Sequence, residues 1–550
     1  MTLASSMEHK VDFQIYQTPP FIDHNNADAL PPKITQDSES SVVENDANQP
    51  LYNAEIYGSL RKGGAVNFFS KKCVGLVAAT FASAFSVECL NCVINPMLKK
   101  HFSLKPAKLA ASQRLTSIPL AFCFFFGLVS DCYPILGFRR KGYLMIGLAT
   151  TALSLFVLSA LDGYIVTLEE GTAGTGLAAT IILFATLAST GNMVTDMCVH
   201  TRVLELSQRE KLIMRGAIIA TYSIFRFLVC IITDACAYAF KVTKTKNHIA
   251  LIAFGLVIGI SIPLVWKAWQ EKYYSLSTPM KTRGQILWKV MQQKAVWRIL
   301  LFMCLFTLFG TITFSLPTVI IAVWSGASGD ERFVLQLMYY GAVVLTIAVW
   351  RYYFMNRPWR IFFAMSTVLL IVPQVILAVV VSKDIIRNRF FYRFMTLFLS
   401  IADGISWLAR VVPLTEIIQE GSEGAMVGLM LSTYYLVSMF VETNATGLFT
   451  GTNFYNTVEI VFDKPDGRSG VLKALLINYA INALQFTGLF FLPRQKLDTQ
   501  QLRSYGGYTK CTSAAIVAFA LMFFVYTVTV TAFTLNPSTS CMDIAGGDGC

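Results

Sequence analysis

Groups of polar and charged side chains recur at helical spacing inside runs that are otherwise apolar. Glu88, Asn91 and Asn95 stand three and four residues apart, and so do Ser189, Asn192, Asp196 and His200. Ser223, Arg226, Cys230 and Asp234 repeat the spacing, as do Asp403, Trp407 and Arg410, while Glu442 and Asn444 mark a later run. Residues so spaced share one face of a helix. A charge at the centre of a bilayer costs about 3 kcal/mol or more, so each needs a reason to be there. One reason is a polar cavity for an anionic solute and a proton. A guanidinium grips a carboxylate through two parallel bonds, which makes Arg226 the natural anion partner. Burial favours the uncharged form of a carboxyl, which makes Glu88, Asp196 and Asp234 candidates to carry a coupling proton. The other reason is mutual neutralisation, with Arg226 paired to Asp196 or Asp234 and Asp403 paired to Arg410.

A second constellation, GLVSDCYPILGFRRKGYL from Gly127 to Leu144, sits where one apolar run ends and the next begins. Asp131 closes a span, Pro134 and Gly137 supply a tight turn, and Arg139, Arg140 and Lys141 follow. Asp131 is placed to receive ion pairs from Arg139 or Arg140 across the turn. The same bonds can pin two halves of a carrier together on the cytoplasmic side, so the motif is expected to act as a gating latch.

These residues need spans to hold them. The chain is 54% hydrophobic and 14% charged with a mean hydropathy of +0.54, whereas soluble proteins carry about 25% charged residues. Runs of roughly 20 apolar residues, each long enough to cross a bilayer, are expected near 73–95, 112–130, 142–162, 176–198, 213–240 and 248–267. After a basic stretch, 268–296, others follow near 297–322, 334–355, 360–382, 391–412, 424–448 and 471–493. A further run, 512–535, makes a thirteenth. The expected fold class is an all-α multi-pass membrane protein: a six-helix bundle over 61–267, a basic cytoplasmic linker, a second six-helix bundle over 297–495, and a C-terminal segment, 496–550, holding one extra transmembrane helix. Residues 1–60 read as a disordered cytoplasmic tail. No cleavable leader is expected, because the first apolar segment begins near Cys73. Within the linker, the segment from Ile286 to Trp297 has the pattern of a surface amphipathic helix.

The net charge of +12 lies mostly in short loops beside spans, where it orients the chain and points to no nucleic-acid partner. The distribution favours a cytoplasmic N-terminus, with Lys99, Lys100, Lys105 and Lys108 against the trend. The twelve cysteines are scattered. Cys89 and Cys92 read as packing inside a span rather than as a redox pair, and Cys541 and Cys550 could bridge if the tail faces an oxidising space. No His/Cys cluster indicates a metal, no phosphate-binding loop or dinucleotide fingerprint is present, and neither enzymatic chemistry nor a cofactor is expected. The sequon Asn444-Ala-Thr446 lies in or near a span, a poor place for a glycan.

The Gly127–Leu144 segment resembles the signature of the folate-biopterin transporters, in which an S-D pair, P-I, a glycine, paired arginines and Y-L follow the second span. Here these are Ser130, Asp131, Pro134, Ile135, Gly137, Arg139, Arg140, Tyr143 and Leu144. ASTGNMVTDMCVHTRVLEL resembles the family's aspartate-bearing end of span four, with Asp196 on its second aspartate, Asn192 in place of the first, and His200 or a neighbour where a glutamate is usual. VVPLTEIIQEGSEGAMVGLMLSTYYL resembles the block opening span eleven, through Gly421, Glu423, Gly424 and Ser432, without the usual Cys-Pro. The resemblance runs over roughly 73–495. It implies a major-facilitator-type fold, a solute site between two six-helix bundles, alternating access and Glu423 beside the gate.

It also implies a folate, a biopterin or a related anion as solute, with S-adenosylmethionine carried by at least one member. On that reading Arg226 binds a carboxylate, Trp407 and Tyr434 stack on the flat ring, Asn91, Asn95 or Asn192 hydrogen-bond it, and protons drive symport across the plasma membrane. The rivals are the same carrier with S-adenosylmethionine, an amino acid or a sugar, a channel, and a non-transporting sensor on a carrier fold.

Overall fold

The computed structural model describes residues 58–102, 106–167, 175–274, 279–327, 332–445, 447–536, 538–540 and 542, without the side chains of 93–96, 98–102, 106–108 and 175. The side chain of Asn95, almost all of the expected tail, the sequon's Thr446, and Cys541 and Cys550 therefore lie outside the described residues. Among the described residues regular structure is helical throughout, apart from two isolated bridges, Ile135 to Phe138 and Gln293 to Tyr508.

Among the described residues twelve helices are long and apolar enough to cross a membrane. Spans one to six are Lys71–Cys92, Leu109–Cys132, Lys141–Thr167, Gly176–Ser207, Ala217–Val242 and Asn247–Ala268. Spans seven to eleven are Lys294–Thr311, Arg332–Phe354, Trp359–Ser382, Arg389–Ile417 and Glu423–Ala445, and Lys510–Leu535 is span thirteen. Span twelve, Pro465–Ala483 continued by Gln485–Leu489, is not among the twelve. Asp466, Arg468 and Lys473 interrupt its apolar character, yet it packs on spans seven and nine.

Span seven departs from the single helix expected over 297–322. It stops at Thr311 and resumes as Ser315–Trp324. Asn478 and Asn482 of span twelve both donate to the Ile312 carbonyl, at 3.0 and 2.9 Å, and Asn478 also accepts from the Phe314 N–H. Amide side chains so take over backbone groups that a continuous helix would use, and Pro317 offers no N–H to rejoin the two pieces. The linker helix also ends early. It runs Met280–Gln292, with Leu287, Val290 and Met291 inward and Ile286 and Trp288 exposed. Gln293 is extended, and Val296 and Trp297 already belong to span seven.

Small residues let the spans approach closely, as membrane helices require when lipid is as apolar as the side chains. A Cβ on Gly127 of span two would lie 2.1 Å from the Gly424 carbonyl of span eleven, and one on Gly147 of span three 2.6 Å from the Gly191 carbonyl of span four. Span thirteen lies along both span two and span eleven. Phe524 meets Phe122 edge-on at 5.2 Å, Phe523 stacks on Phe440 at 4.4 Å, and the Tyr526 hydroxyl donates to Asn444 Oδ1 at 2.6 Å. The sequon asparagine is thus buried in a helix contact.

The end of the bundle that carries residue 58 is knitted together by polar contacts. Gln208 donates to the Thr415 and Ile418 carbonyls at 2.8 and 3.0 Å. Arg215 pairs with Glu416 at 2.8 Å and donates to the Gly58 carbonyl at 2.8 Å. The helix Lys496–Tyr505 closes over them: Gln500 donates to Glu416 at 2.8 Å, and Lys496 donates to the Leu212 carbonyl at 3.2 Å. Burial drives the Lys496 pKa down to about 8, against the pull of Glu416. A free lysine titrates near about 10.4, so between these values the unfolded chain holds more protons than the folded one, and stability must rise with pH. The thermal midpoint of the purified protein should therefore climb between pH 8 and about 10 relative to Lys496→Met. Parallel curves for the two proteins would remove Lys496 as the cause.

Candidate functional site

Asp196, midway along span four, gathers the central cluster. Its Oδ1 accepts from Ser83 of span one at 2.7 Å and from Arg226 of span five. His200 lies one turn on, its Nδ1 3.5 Å from Asp196 Oδ2 and 3.0 Å from the Asp196 carbonyl. Tyr222 is 3.3 Å from that same nitrogen, and its hydroxyl accepts from Arg226 at 3.3 Å. Asn192, one turn before Asp196, accepts from Ser86 of span one. Asp196, Arg226, Asn192 and His200 are all buried.

The pair stands between two hollows. One, of about 370 Å³, is lined by Asn91, Gln113, Ser189, Asn192, Asp196 and Arg226, with Leu431 and Tyr435 of span eleven on its far wall. Asn91, exposed, stands at its mouth. The other, of about 50 Å³, lies between the same Asp196 and Arg226 and residues of the second half, including Trp407, Arg410 and Tyr434. Trp407 donates from its ring N–H to Ser223 at 3.0 Å, and the Arg226 guanidinium lies 5.7 Å from its ring centre. Arg410 sits 4.0 Å above the Tyr434 ring and donates to the Ser406 carbonyl at 3.2 Å. It forms no ion pair with Asp403 among the described residues. Asp403 lies on the same helix but not in the lining of either hollow. Of the two partners open to Arg226 in the sequence, the structure selects Asp196.

Glu88 and Asp234 belong to a different place, nearer the ends of spans one and five, beside a cavity of about 660 Å³ that also reaches Cys92, Lys241, Lys244 and Arg332. Sequence spacing put Asp234 on the Arg226 face. Two helical turns, about 12 Å, separate them.

The Gly127–Leu144 motif builds a third cluster, at the sealed end. Asp131 is 1% exposed. Its Oδ1 accepts from the Arg140 guanidinium and from the Gly424 N–H at 3.2 Å, and its Oδ2 accepts from the Ala425 N–H at 2.8 Å. Span two thus caps the N-terminus of span eleven with a carboxylate, where the helix dipole is positive. Arg140 reaches Glu423 at 3.7 Å and also donates to Ser130. Burial opposes the Arg140 charge, but Asp131, Glu205 and Glu423 outweigh it and push its pKa up. Glu423 accepts from Arg61, in the segment before span one, and from the Gly421 N–H at 2.8 Å. Arg139 does not join the cluster. Its guanidinium lies 4.0 Å above the Tyr274 ring. The backbone N–H groups of Arg139, Arg140 and Lys141 all donate to Glu271, at 2.9 Å each, which fixes Arg140 pointing inward and Arg139 outward.

Sequence reasoning missed Ser83, Ser86, Tyr222, Arg61, Arg332 and Tyr340. Small hydroxyl residues are common in membrane helices and carry no signal of their own. Arg61 and Arg332 lie just outside apolar runs, where cations ordinarily serve orientation. Tyr222 could have been found, one turn before Arg226 on the same face.

Comparison with known proteins adds relatives to this geometry. Folate transporter 1 of Plasmodium falciparum (isolate 3D7) is 23% identical over 384 residues, 66% of this chain and 71% of that protein. Two solved structures share the fold. The major facilitator superfamily proton:xylose symporter XylE, bound to 6-bromo-6-deoxy-D-glucose, aligns with a TM-score of 0.54 at 12% identity over 78% of this chain and 98% of that one. A bacterial homologue of the iron transporter ferroportin in its outward-facing state aligns with a TM-score of 0.53 at 13% identity over 76% and 100%. A family model matches residues 86–496, which takes in Asp196 and Arg226, the 660 Å³ cavity and Asp131 with Arg140 and Glu423 alike: the chain is a membrane transporter of major-facilitator fold and belongs to the BT1 family of folate-biopterin transporters.

Proposed function

We propose that the chain moves folate- or pterin-type anions by alternating access, in symport with protons, across the plasma membrane, with its N-terminus in the cytoplasm. The observation that carries the reading is the Arg226–Asp196 pair on the wall of the 370 Å³ hollow. That volume lies within the range of about 300–1,000 Å³ usual for small-molecule sites. An arriving carboxylate competes with Asp196 for the guanidinium and exchanges one ion pair for another, so the buried charge is never left bare. Asn91 and Gln113 offer polar contacts at the mouth, and Trp407 and Tyr434 supply flat faces from the second half. The folate preference draws support from the Plasmodium relative's name and from the family. The proposed orientation makes the Asp131 end cytoplasmic. The described state is then closed inside, and Asp131 with Arg140 and Glu423 forms the gate that must part for release.

The test is uptake of labelled folate, biopterin and S-adenosylmethionine in a transport-deficient host, with and without a pH gradient. Folate or biopterin should be taken up saturably. Loss of a charged hydrogen bond, about 1.5–3 kcal/mol, should weaken half-saturation by about 10- to 100-fold in Arg226→Lys. Full affinity in that variant sinks the carboxylate role, and preference for S-adenosylmethionine sinks the anion.

Asp131→Asn tests the gate. Removing one partner of a buried pair costs about 3–5 kcal/mol, here taken from the closed inner seam. Uptake should fall at least tenfold while surface expression holds. Normal uptake by this variant would refute the latch.

A further inference from the structure

Glu88 of span one and Asp234 of span five come together away from the Arg226 site, with Cys92, one turn beyond Glu88, between them. The Cys92 Sγ is 3.0 Å from Asp234 Oδ1 and 3.5 Å from Glu88 Oε1. One oxygen of each carboxylate and that sulfur lie within 4.8 Å of one another. Span eight, in the other half, closes over them. Arg332 reaches Glu88 Oε1 at 3.2 Å and donates to the Asn91 carbonyl at 3.0 Å, and the Tyr340 hydroxyl donates to Glu88 Oε2 at 2.5 Å. Both carboxylates are buried, at 1% and 4% exposure, and Asp234 Oδ2 has no hydrogen-bond partner among the described residues. Among the described residues the remaining titratable neighbours are the thiols Cys89 and Cys230, and the Tyr238 hydroxyl and the ammonium groups of Lys241 and Lys244, which line the cavity leading to Asp234. In direct contact, therefore, two acids face a single guanidinium, and full ionisation would leave one buried negative charge uncompensated.

We infer that Glu88 and Asp234 together form the coupling-proton site, and that Arg332 and Tyr340 report its occupancy to the second half; the inference rests on the carrier reading above and narrows it. A proton entering by way of the 660 Å³ cavity, whose wall includes Asp234, adds to the buried, unpartnered Oδ2. The resulting O–H is donated to Glu88, and no other bond is made or broken. The pair then carries one negative charge, matched by Arg332, and span eight docks on spans one and five without burying net charge. When the proton departs, the docked seam holds an unmatched charge, which is costly away from water. Span eight parts from span one, and water reaches both acids. Asp196 serves poorly in this role, because Arg226, Ser83 and His200 already surround its oxygens. The solute pair and the proton pair are thereby separate sites on shared helices, and one closure of span eight senses the second directly.

Two measurements on the full-length protein test this. The first is hydrogen exchange of backbone 332–340 in lipid nanodiscs, corrected for intrinsic rate, and needs no solute. In the wild type exchange should slow toward acid pH, by up to about tenfold for each pH unit, the most one linked proton can give. Glu88→Gln and Asp234→Asn should show no pH dependence, with Asp234→Asn slow throughout. The second is uptake of labelled folate into proteoliposomes, where the ratio of rates with and without an acid-outside gradient should fall to about one in both variants. If folate is not the solute, the uptake arm is silent for every protein and the exchange arm still decides. The proposal is overturned if both variants keep the wild-type pH response. It is overturned equally if the wild-type response follows added zinc and its chelation instead of pH, which would make Glu88, Cys92 and Asp234 a metal site.

Discussion

A carboxylate held away from water by lipid must find its counter-charge inside the protein, and at four places in this chain the counter-charge stands on a different element. Asp131 of span two meets Arg140 from the following turn and the N-terminus of span eleven. Asp196 of span four meets Arg226 of span five, Glu88 of span one meets Arg332 of span eight, and Glu416 at the end of span ten meets Arg215. Two of these bonds, Glu88 to Arg332 and Arg215 to Glu416, join one six-span half to the other directly, and Asp131 does so through the Gly424 and Ala425 amides. The physics that forbids a lone buried charge therefore also sets which spans can separate and in what state.

The seam between spans two and eleven shows how sequence detail permits this. Asp131 reaches the amides of Gly424 and Ala425 only because the two backbones nearly touch, and they touch only where Gly127 and Gly424 lack side chains. Phe124 adds a backbone bond to Ser432 at 2.9 Å one turn away. Span thirteen then lies along both helices, so any relative tilt of two and eleven must slide against Phe523 and Phe524 or carry them along. The segment before span one enters the same network through Arg61, whose charge is shared with Glu423. A carrier of two bundles is here tied by elements that belong to neither.

Much of this was legible in the chain. Apolar runs of the right length mark nearly every span, because hydrocarbon thickness dictates their length. The stripe through Asn192 and Asp196 and the face of span five that carries Arg226 meet at one hollow, because helical period dictates their face. Other features were decided by partners far off in sequence. The break in span seven depends on Asn478 and Asn482, more than 150 residues away. The choice of Arg140 over Arg139 depends on Glu271, whose carboxylate fixes the turn of backbone that precedes span three. Helical spacing assigns a face but not a depth-matched partner. For this reason Asp234 read as a companion of Arg226 although it faces Glu88 and Cys92.

The two ends of the bundle are unequal, and the inequality has a direction. At the Asp131 end the ion pairs are sealed: Arg140 and Asp131 are 3% and 1% exposed, Arg215 and Glu416 both 1%. Opening there parts Arg215 from Glu416, Arg140 from Glu423 and Asp131 from the Gly424 and Ala425 amides, which leaves these groups short of partners until water enters. At the other end the crossing ion pair found among the described residues joins buried Glu88 to Arg332, whose side chain is 45% exposed, so water already reaches the cation. An empty protein accordingly rests closed at the Asp131 end. A ligand can reverse that only by binding the other state more tightly, and the buried Asp196–Arg226 pair is joined to the sealed end through the helix of Asp196, which leads on to Gln208. The structure thus sets a sealed polar network at one end against a partly solvated pair at the other, with the buried Arg226–Asp196 pair between them.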